Sequence, residues 1–551
     1  MSNGNYWNDI FWRRMSRRRL LQTGAAAGIG LGIAAACGDS GQEEGAQQGG
    51  ESEEAKPGGR LQYVSSVNFD GVDPFRSIAA GTAIYPRVYN SLLRATAAAA
   101  DTRVFDLAQE LEQPDEVTYV FKIRPSVKMA PNSLGAPERD LDANDALASY
   151  EYAKSVPESN HGAFIKQYNV TFQAQDASTF IVKTDGPYAW TLERLGSPIA
   201  CIVPREFIQN NVDLKQQGAG GNAFFIRAYR DGEVVSVDRN PNYWNQPLPY
   251  LEGIDYRVIT DRATWRAALL SQQVHYYSAE NSREAEDLVR QQGRLVYIKD
   301  PSYSYVSFIM NPDVDPQYRD PRIRRAISRA INREEFINTI ALGDARPSGV
   351  VHWSLTDYAL PEEELNERYQ PFDVNEAKQL LREAGHPNGI TIRMMYPTPQ
   401  PTIDRYVPVL LSQFQAAGIQ VQQEPVDFAT WLNRYRQRDY ASSLSLNQVY
   451  ETPETPLNWH ISVGPIGDGS YTRGLQDPEV DAAVRKANTT LDVEQRIEAV
   501  KEAQRLIYSK DPLMLNIYTS YSNILLWNFV KNYRSGIGTL TLAYNDIWLD
   551  R

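Results

Sequence analysis

The stretch that decides the fold is EVVSVDRNPNYW at residues 233–244, which continues as PYLEGIDYRVI at residues 249–259. Its first six residues alternate in the manner of a half-buried strand, and Asp231 and Gly232 just before them favour a tight hairpin turn. Two further strands and a helix that begins at Asp261 are predicted to follow. The stretch therefore predicts a rigid frame, and none of it is typical of reaction chemistry.

Further landmarks follow this frame along the chain. They are AALLSQQV at residues 267–274, DPRIRRAISRAINRE at residues 320–334 and EAKQLLREAGHPNG at residues 376–389. Together with the two stretches above, these segments resemble the extracellular solute-binding proteins of family 5, the receptor components of peptide-type ABC importers. The resemblance runs from about residue 58 almost to the C terminus.

The resemblance implies an α/β fold like that of type II periplasmic binding proteins, with two lobes joined by a hinge of two chain crossings and an additional inserted α+β domain. Residues 303–310 are expected to form the outward crossing and residues 513–518 the return. Bending at these crossings would close the lobes around a ligand. The implied domains are lobe I at residues 60–92, 200–305 and 511–551, the inserted domain at residues 93–199, and lobe II at residues 306–510.

Residues 373–450 predict part of lobe II from their pattern alone. Strand-like and helical segments follow one another as β-α-β-α-β, which requires right-handed crossovers and a parallel sheet. In open sheets of this kind, ligands bind beyond the carboxyl ends of the strands. The loop at residues 447–456 is therefore predicted to lie at the cleft between the lobes.

Shorter patterns make local predictions. Residues 84–94 are predicted to form a helix, and the alternation at residues 117–123 predicts a half-buried antiparallel strand. In lobe II, Asp427 is predicted to begin a helix with Phe428 and Trp431 on one face, so that Trp431 packs in the core.

The N-terminal residues 1–36 are predicted to be an export signal rather than part of the fold. Arginines within residues 16–21 precede an apolar segment, as in twin-arginine (Tat) signals, and that segment is too short for a membrane span. It ends in IAAAC at residues 33–37, which resembles a lipoprotein processing site and implies a lipid on Cys37. A plain cleaved signal is the alternative. Residues 37–59 are predicted to be a flexible acidic linker.

These features predict export by the Tat pathway to the periplasm or the outer face of the cell membrane, with a lipid anchor at Cys37. The chain has two cysteines, so lipidation of Cys37 would leave no intramolecular disulfide. Cys201 lies in the apolar run at residues 199–203 and is predicted to be a small buried hydrophobic residue.

Composition and motifs exclude several classes of function. The net charge of -12 argues against nucleic acid as a partner, because a surface that follows phosphates is basic. Neither His-Glu-x-x-His nor Gly-x-Ser-x-Gly occurs, the GDSG at residues 38–41 lies in the predicted linker without a framework around it, and the five histidines lack metal-ligand spacing. They are His161, His275, His352, His386 and His460. The sequence therefore predicts no enzyme, no metal site and no cofactor.

Eight residues are predicted to contact the ligand, although each of them could instead serve packing. They are Tyr303 and Tyr305 beside the outward crossing, Asn447, Gln448, Tyr450 and Glu451 from the loop, and Trp459 and Tyr471 beyond it. In peptide-binding relatives, an aspartate of this loop can neutralise the amino terminus of the ligand, and Val449 stands at that place here. An ammonium group left unpaired in a closed cleft is unfavourable by several kcal/mol. Glu451 could substitute for that aspartate.

The resemblance implies an extracytoplasmic receptor that closes around a peptide or another small solute and delivers it to the permease and ATPase subunits of an ABC importer. We expect it to act as a monomer. An oligosaccharide receptor on the same fold is an alternative, because Tyr450, Trp459 and Tyr471 could stack on sugar rings. A secreted hydrolase and a receptor that signals to a sensor kinase are alternatives from other classes.

Overall fold

The structure is a computed structural model that describes residues 54–76, 83–95, 103–131, 134–135, 139–157, 159–218, 220–448, 452–462, 476–534 and 545–551. The predicted export signal, Cys37 and most of the predicted linker lie outside these residues. Within the described ranges, no helix is both long enough and apolar enough to cross a membrane.

The first part of the chain contains a compact α+β unit at the position of the predicted inserted domain. Its antiparallel sheet has the strand order β4-β5-β7-β6, and the predicted strand at residues 117–123 is confirmed as β5. The elements of this part are β1 (Arg60–Ser65), α1 (Tyr85–Val88), β2 (Leu93–Ala95), β3 (Arg103–Phe105), β4 (Ala108–Glu112), β5 (Thr118–Ile123), α2 (Ala143–Ser155), α3 (Asn160–Gln167), β6 (Thr171–Asp176), β7 (Thr179–Lys183), α4 (Thr191–Leu195) and α5 (Arg205–Gln209).

The helix predicted over residues 84–94 is wrong beyond its first turn. α1 ends at Val88, and β2 pairs with β3 instead of continuing the helix. Between them, Asn90 forms a backbone bridge with Ile202, and its side chain donates a hydrogen bond to Asp106 at 3.2 Å. Backbone groups here find partners in β3 and in the segment around Ile202, which outweighs the local helical pattern.

Residues 231–270 form the predicted frame. The following elements are β8 (Phe224–Arg230), β9 (Val234–Arg239), β10 (Gly253–Val258), α6 (Arg262–Leu270), β11 (Tyr276–Ala279) and α7 (Ser282–Gln291). β8 and β9 form the predicted hairpin, in which Gly232 has φ +70°. Asp261 caps α6, because its side chain accepts a hydrogen bond from the Thr264 N–H at 2.8 Å. The resulting sheet has the order β1-β10-β9-β8.

The remaining elements build the second half of the molecule and return to the first. They are β12 (Leu295–Met310), α8 (Pro321–Ala330), α9 (Arg333–Thr339), β13 (Ala345–Pro347), α10 (Glu362–Glu364), α11 (Val374–Glu383), β14 (Ile390–Pro397), α12 (Pro401–Ala416), β15 (Ile419–Val426), α13 (Phe428–Gln437), β16 (Ser442–Gln448), α14 (Glu454–Asn458), α15 (Pro478–Thr489), α16 (Val493–Ser509), β17 (Met514–Trp527), β18 (Val530–Lys531) and β19 (Trp548–Leu549). A 3₁₀ turn (Pro316–Arg319) and a π-helical turn (Leu365–Tyr369) complete them.

The two predicted crossings are the paired strands β12 and β17, and both are longer than the sequence indicated. β12 has 16 residues and β17 has 14. Their antiparallel register is interrupted between Pro301 and Tyr305 and again between Tyr305 and Ser307. Such irregularities bend a strand and locally break its ladder. The pair therefore has a bend at Tyr305, with one half of the molecule on each side of it.

The β-α-β-α-β unit predicted for lobe II is confirmed. β14 pairs in parallel with β15 on one side and with β16 on the other. The predicted helix α13 begins after Asp427, and Trp431 is buried with its indole N–H bonded to Ser443 at 3.1 Å. Phe428 shares the face of Trp431, with 5.6 Å between their ring centroids, but it is 57% exposed. It is the first residue of α13.

Two apolar cores hold the molecule together. One core lies between β14, α12 and the adjoining half of β12, with Phe308, Ile392 and Phe414 fully buried. The other combines the frame, the inserted unit and the helices α14, α15 and α16. The helices α14, α15 and α16 come after the predicted cleft loop in the chain. In the folded molecule they share a core with the inserted unit.

Candidate functional site

A cavity of about 130 Å³ lies where the two halves of the molecule meet at the crossings. Its walls come from β12, β17, the N-terminal part of α12 and the segment after β11. The lining residues with polar, charged or aromatic side chains include Glu280, Tyr305, Asp344, Thr402, Arg405, Tyr406, Tyr518, Tyr521 and Asn523. The cavity lies beside the carboxyl ends of β14 and β16, which is the place expected for a ligand in an open α/β sheet.

A solvent-accessible ion pair joins the two halves across this cavity. Arg405, in the second turn of α12, donates from Nη1 to Oε1 of Glu280 at 2.6 Å. Glu280 follows β11 in the other half, and both side chains are about half exposed, at 47% for Arg405 and 49% for Glu280. We call these two residues the cleft pair.

A second carboxylate at the cavity is already neutralised. Asp344 forms an ion pair with Lys299 and accepts hydrogen bonds from the Ser282 N–H at 2.6 Å and from Asn523 Nδ2 at 3.0 Å. Burial alone would raise the pKa of Asp344, but Lys299 and these N–H groups outweigh burial and hold that pKa below its usual range. Asp344 therefore organises the hinge and has little capacity left for a ligand.

Aromatic rings form a cluster beside the crossing, which we call the aromatic cluster. The ring of Tyr305 lies 6.5 Å, between centroids, from Trp459 and from His352. His352 stacks on Trp353 at 5.1 Å, and Trp353 lies 5.2 Å from Tyr521. Rings at these separations offer faces on which an apolar or planar part of a ligand can rest.

Three buried polar atoms around Tyr305 have no hydrogen-bond partner within the described protein. They are Nε2 of His352, Nε1 of Trp353 and Oγ1 of Thr519, the residue opposite Tyr305 on β17. Burial, and then the nearby Arg346, lower the pKa of His352 to about 3, so its imidazole is neutral near pH 7. Unsatisfied buried polar atoms are uncommon in folded proteins, and these are suited to hydrogen bonds with a ligand or with water.

The structure brings together part of the predicted site. Tyr305 stands opposite Asn447 in the β12–β16 ladder, and Gln448 is the next residue of that ladder. Trp459 follows α14 and reaches Tyr305. Tyr303 lies in β12 two residues before Tyr305. The structure describes only the backbone of Tyr303, Asn447 and Gln448, while Tyr450, Glu451 and Tyr471 lie outside the described residues.

Sequence reasoning missed the charged residues of the cavity. Glu280 and Arg405 are 125 positions apart in the chain, and each stands in a segment of ordinary surface composition. The only available signal was position, because Arg405 lies in the first helix after the carboxyl end of β14. Tyr521 was missed because β17 extends well beyond the predicted return crossing at residues 513–518.

A buried polar group connects α14 to the inserted unit, and we call it the buried junction. Arg194 donates from Nη2 to Oε2 of Glu454 at 2.6 Å, and the hydroxyl of Tyr168 donates to the other carboxylate oxygen at 2.6 Å. Asn458 and Asn488 extend the network, with 2.9 Å between their side chains. Glu454 is 1% exposed. The junction fixes α14, the helix that Trp459 follows.

The described residues offer no metal site of the usual kind. No group of three or more His, Cys, Asp or Glu side chains in this part of the chain is arranged to hold a metal ion. Cys201 is a buried free thiol, as predicted. Burial lowers the pKa values of His161 and His352 to about 3 and those of His275 and His460 to about 4.

A larger hollow, of about 490 Å³, lies on another surface and shares no lining residue with the cavity at the crossings. Three of the cations that line it already have partners. Arg325 is paired with Asp511 at 2.9 Å, Lys510 with Glu479 at 2.6 Å, and Arg324 donates to main-chain carbonyls, among them that of Tyr318. This hollow therefore has a structural explanation.

Comparison with protein families decides the class of the protein. Residues 103–467, about two thirds of the chain, match the model of the bacterial extracellular solute-binding proteins, family 5. The chain belongs to this family. Members are substrate-binding receptors rather than enzymes, and this family 5 receptor serves an ABC importer outside the cytoplasm.

Individual relatives agree with this assignment. The glutathione-binding protein GsiB of Salmonella paratyphi A is 24% identical over 429 residues, which cover 72% of the receptor and 77% of that protein. Di/tripeptide-binding protein 2 of Pseudomonas aeruginosa is 25% identical over 469 residues, covering 80% and 86%.

Solved structures confirm the fold. The periplasmic binding protein DppA from Helicobacter pylori, in complex with the peptide STSA, superimposes with a TM-score of 0.74 at 20% identity. The superposition covers 90% of the receptor and 99% of DppA. The predicted α/β fold of type II periplasmic binding proteins, with two lobes, a hinge of two crossings and an inserted domain, is thereby confirmed.

Proposed function

We propose that the solute of this receptor is a short peptide or a peptide-like compound. The observation that carries this proposal is the cavity at the crossings, which is lined by charges of both signs and by Tyr305 and Tyr521 of the aromatic cluster. The rest of the cluster, and the residue opposite Tyr305 on β17, add unsatisfied hydrogen-bonding atoms beside it. A peptide offers matching groups, because it has two charged ends, a polar main chain and side chains that can rest on rings. The names of the two relatives above, which refer to glutathione and to di- and tripeptides, support the same class of ligand.

The size of the cavity favours a short ligand. Typical small-molecule sites enclose roughly 300–1,000 Å³, and the cavity here measures about 130 Å³. A ligand of two or three residues would need only limited opening of the cleft, whereas a long peptide would have to displace the cleft pair completely. Closure around the solute by bending at Tyr305 is the proposed mechanism.

Calorimetry on the purified full chain tests the ligand class. Pools of di- and tripeptides are titrated first, and malto- and cello-oligosaccharides are titrated second. We expect saturable binding of peptides in the micromolar range, equivalent to about -8 kcal/mol, and no heat from the sugars. Saturable binding of sugars without binding of peptides would contradict the proposal and favour the oligosaccharide alternative.

The same samples test catalysis. We propose that the receptor releases its ligand unchanged, because the described residues hold no arrangement of nucleophile, base and oxyanion donors around the cavity. Chromatography of peptides after overnight incubation should show them intact. Cleavage above the rate in buffer would support the hydrolase alternative instead.

We further propose that the receptor is exported through the Tat pathway, carries a lipid on Cys37 and acts as a monomer, with the lobe boundaries given by the sequence. The IAAAC segment at residues 33–37 and the arginines before it support the first two statements. A Cys37→Ser variant should move from the membrane fraction to the soluble extracytoplasmic fraction. An unchanged distribution would favour a plain cleaved signal. Delivery to a permease, rather than to a sensor kinase, is tested by uptake of labelled peptide into cells.

A further inference from the structure

The cleft pair differs from the other charged groups at the cavity because its two side chains have few contacts. Among the described residues, the contact from Nη1 of Arg405 to Oε1 of Glu280 is the only ion pair or side-chain hydrogen bond of either group. The remaining N–H groups of Arg405 and the second oxygen of Glu280 have no such contact. By contrast, Asp344 is fully engaged by Lys299 and by N–H groups. Only the cleft pair can therefore exchange its partner at low cost.

The position of the pair links an exchange of partners to the opening of the cleft. Each member belongs to a different half of the molecule, and both line the cavity beside the aromatic cluster. When the halves separate at the bend, the two charges separate with them. A half-exposed ion pair contributes little to stability, so a ligand that supplies a charge for each member can replace the pair.

We infer that the cleft pair is the charge-recognition element of the receptor, and that the ligand is zwitterionic. The guanidinium of Arg405 binds the carboxylate of the ligand, for which its planar fork of N–H donors is suited. The carboxylate of Glu280 binds the ammonium group. Without ligand, the two residues neutralise each other. This inference rests on the proposed function and deepens it, because it names the charges that the solute must carry.

Glu280 also offers the amino terminus of a ligand the carboxylate that position 449 does not. Val449 occupies the place at which peptide-binding relatives can have an aspartate for the amino terminus, and an apolar side chain cannot neutralise an ammonium group. Glu280, which follows β11, supplies a carboxylate at the cavity. The ligand would thus be held by one charge from each half, which couples binding directly to closure.

Blocked ligands and matched variants test this inference on the full chain. Calorimetry measures the affinity for three pools of di- and tripeptides. The first pool is free at both ends, the second is N-acetylated, and the third is C-amidated. The variants are Glu280→Gln and Arg405→Gln. Lys486→Gln serves as the control, because Lys486 forms an exposed ion pair with Glu502 at 2.9 Å away from the cavity.

We expect N-acetylation or C-amidation of the peptides to weaken their binding to the unchanged receptor by about tenfold or more. This is the loss of affinity expected when one charge-assisted hydrogen bond is removed. Glu280→Gln should bind free peptides more weakly and no longer discriminate against N-acetylation, while still discriminating against amidation. Arg405→Gln should show the reverse pattern, and Lys486→Gln should behave like the unchanged receptor. A purely structural effect of a variant would weaken all three pools equally, so the pattern of discrimination separates the two explanations.

Two results would overturn the inference in distinguishable ways. If free and blocked peptides bind the unchanged receptor equally well, the proposed function stands and the charge assignment fails. If the receptor binds only neutral oligosaccharides, both fail together. Both cleft variants could also lose affinity equally for all pools while still distinguishing free from blocked peptides. That result would show that the pair only holds the lobes together, and it would also overturn the inference.

Discussion

The buried junction and the cleft pair contain the same chemistry in different surroundings. In each, an arginine Nη atom lies 2.6 Å from a glutamate oxygen and connects segments that are far apart in the chain. Glu454 of the junction is 1% exposed, however, whereas Glu280 of the cleft pair is 49% exposed. Distance alone therefore says little about what an ion pair does.

The surroundings explain the difference in role. Glu454 has lost its water and depends on Arg194, Tyr168 and Asn458 for hydrogen bonds. Removing a partner from such a group leaves a buried charge unsatisfied, which is strongly unfavourable. Glu280 and Arg405 regain water as soon as they separate. The molecule can thus open at the cleft pair while the junction stays intact, and the comparison predicts where bending occurs.

The largest expected effect concerns the junction. Glu454→Ala should lower the free energy of unfolding by about 3–5 kcal/mol, because Arg194 and Tyr168 would lose their shared acceptor in a site with little access to water. Urea denaturation followed by circular dichroism measures the change. Glu502→Ala is the matched control, since it removes the same side chain from the exposed pair with Lys486 and should change stability by less than about 1 kcal/mol.

Equal losses of unfolding free energy in the Glu454 and Glu502 variants would contradict the comparison of buried and exposed ion pairs. They would mean that burial does not separate structural ion pairs from exchangeable ones in this protein. A loss at Glu454 accompanied by normal peptide affinity would narrow the conclusion, because the junction would then support folding without positioning Trp459 for the ligand.

A second effect arises from two histidines near the junction, His161 in α3 and His460 two residues after α14. Burial, helped by Arg194, lowers the pKa of His161 to about 3, and burial lowers that of His460 to about 4. An unfolded histidine titrates near 6.5, so between pH 6.5 and pH 4 the unfolded chain binds more protons than the folded one. Stability must therefore fall as the pH falls through this window. Relative to pH 7, each histidine should lower the free energy of unfolding at pH 5 by about 2 kcal/mol.

Urea unfolding at pH 7 and at pH 5 measures this dependence. His161→Phe should reduce the difference between the two pH values, because a phenyl ring of similar size has no proton to bind. His386→Gln is the control, since His386 lies in the turn after α11 and outside both apolar cores. A pH dependence that is unchanged in His161→Phe would show that other groups cause the loss of stability.

Much of the fold could be predicted because its signals are local. The hairpin at Gly232, the capping carboxylates Asp261 and Asp427, and the β-α-β-α-β order each depend on a few neighbouring residues. The helix predicted through Asn90 failed because that residue pairs with a segment more than 100 positions away. Local periodicity contains no information on such a partner.

The site was only partly predictable for the same reason. Tyr305 and Asn447 were predicted from their places beside a crossing and after a strand, and the ladder sets them opposite each other, while their contact with a ligand stays a prediction. The pairing of Glu280 with Arg405, in contrast, depends on how two halves of the molecule face each other. No spacing in the sequence contains that relation, and only the assembled fold reveals it.

The smallest expected effect concerns the cleft pair itself. Glu280→Ala should change the free energy of unfolding by less than about 1 kcal/mol, because both partners of this half-exposed pair are solvated when separated. Hydrogen exchange sharpens the comparison. Backbone amides at residues 276–284 and 401–408 should become more protected when peptide is added, whereas those at residues 454–460 should be protected with or without peptide. Equal changes at both places would mean that the junction opens together with the cleft, and that bending is not confined to the side of the cleft pair.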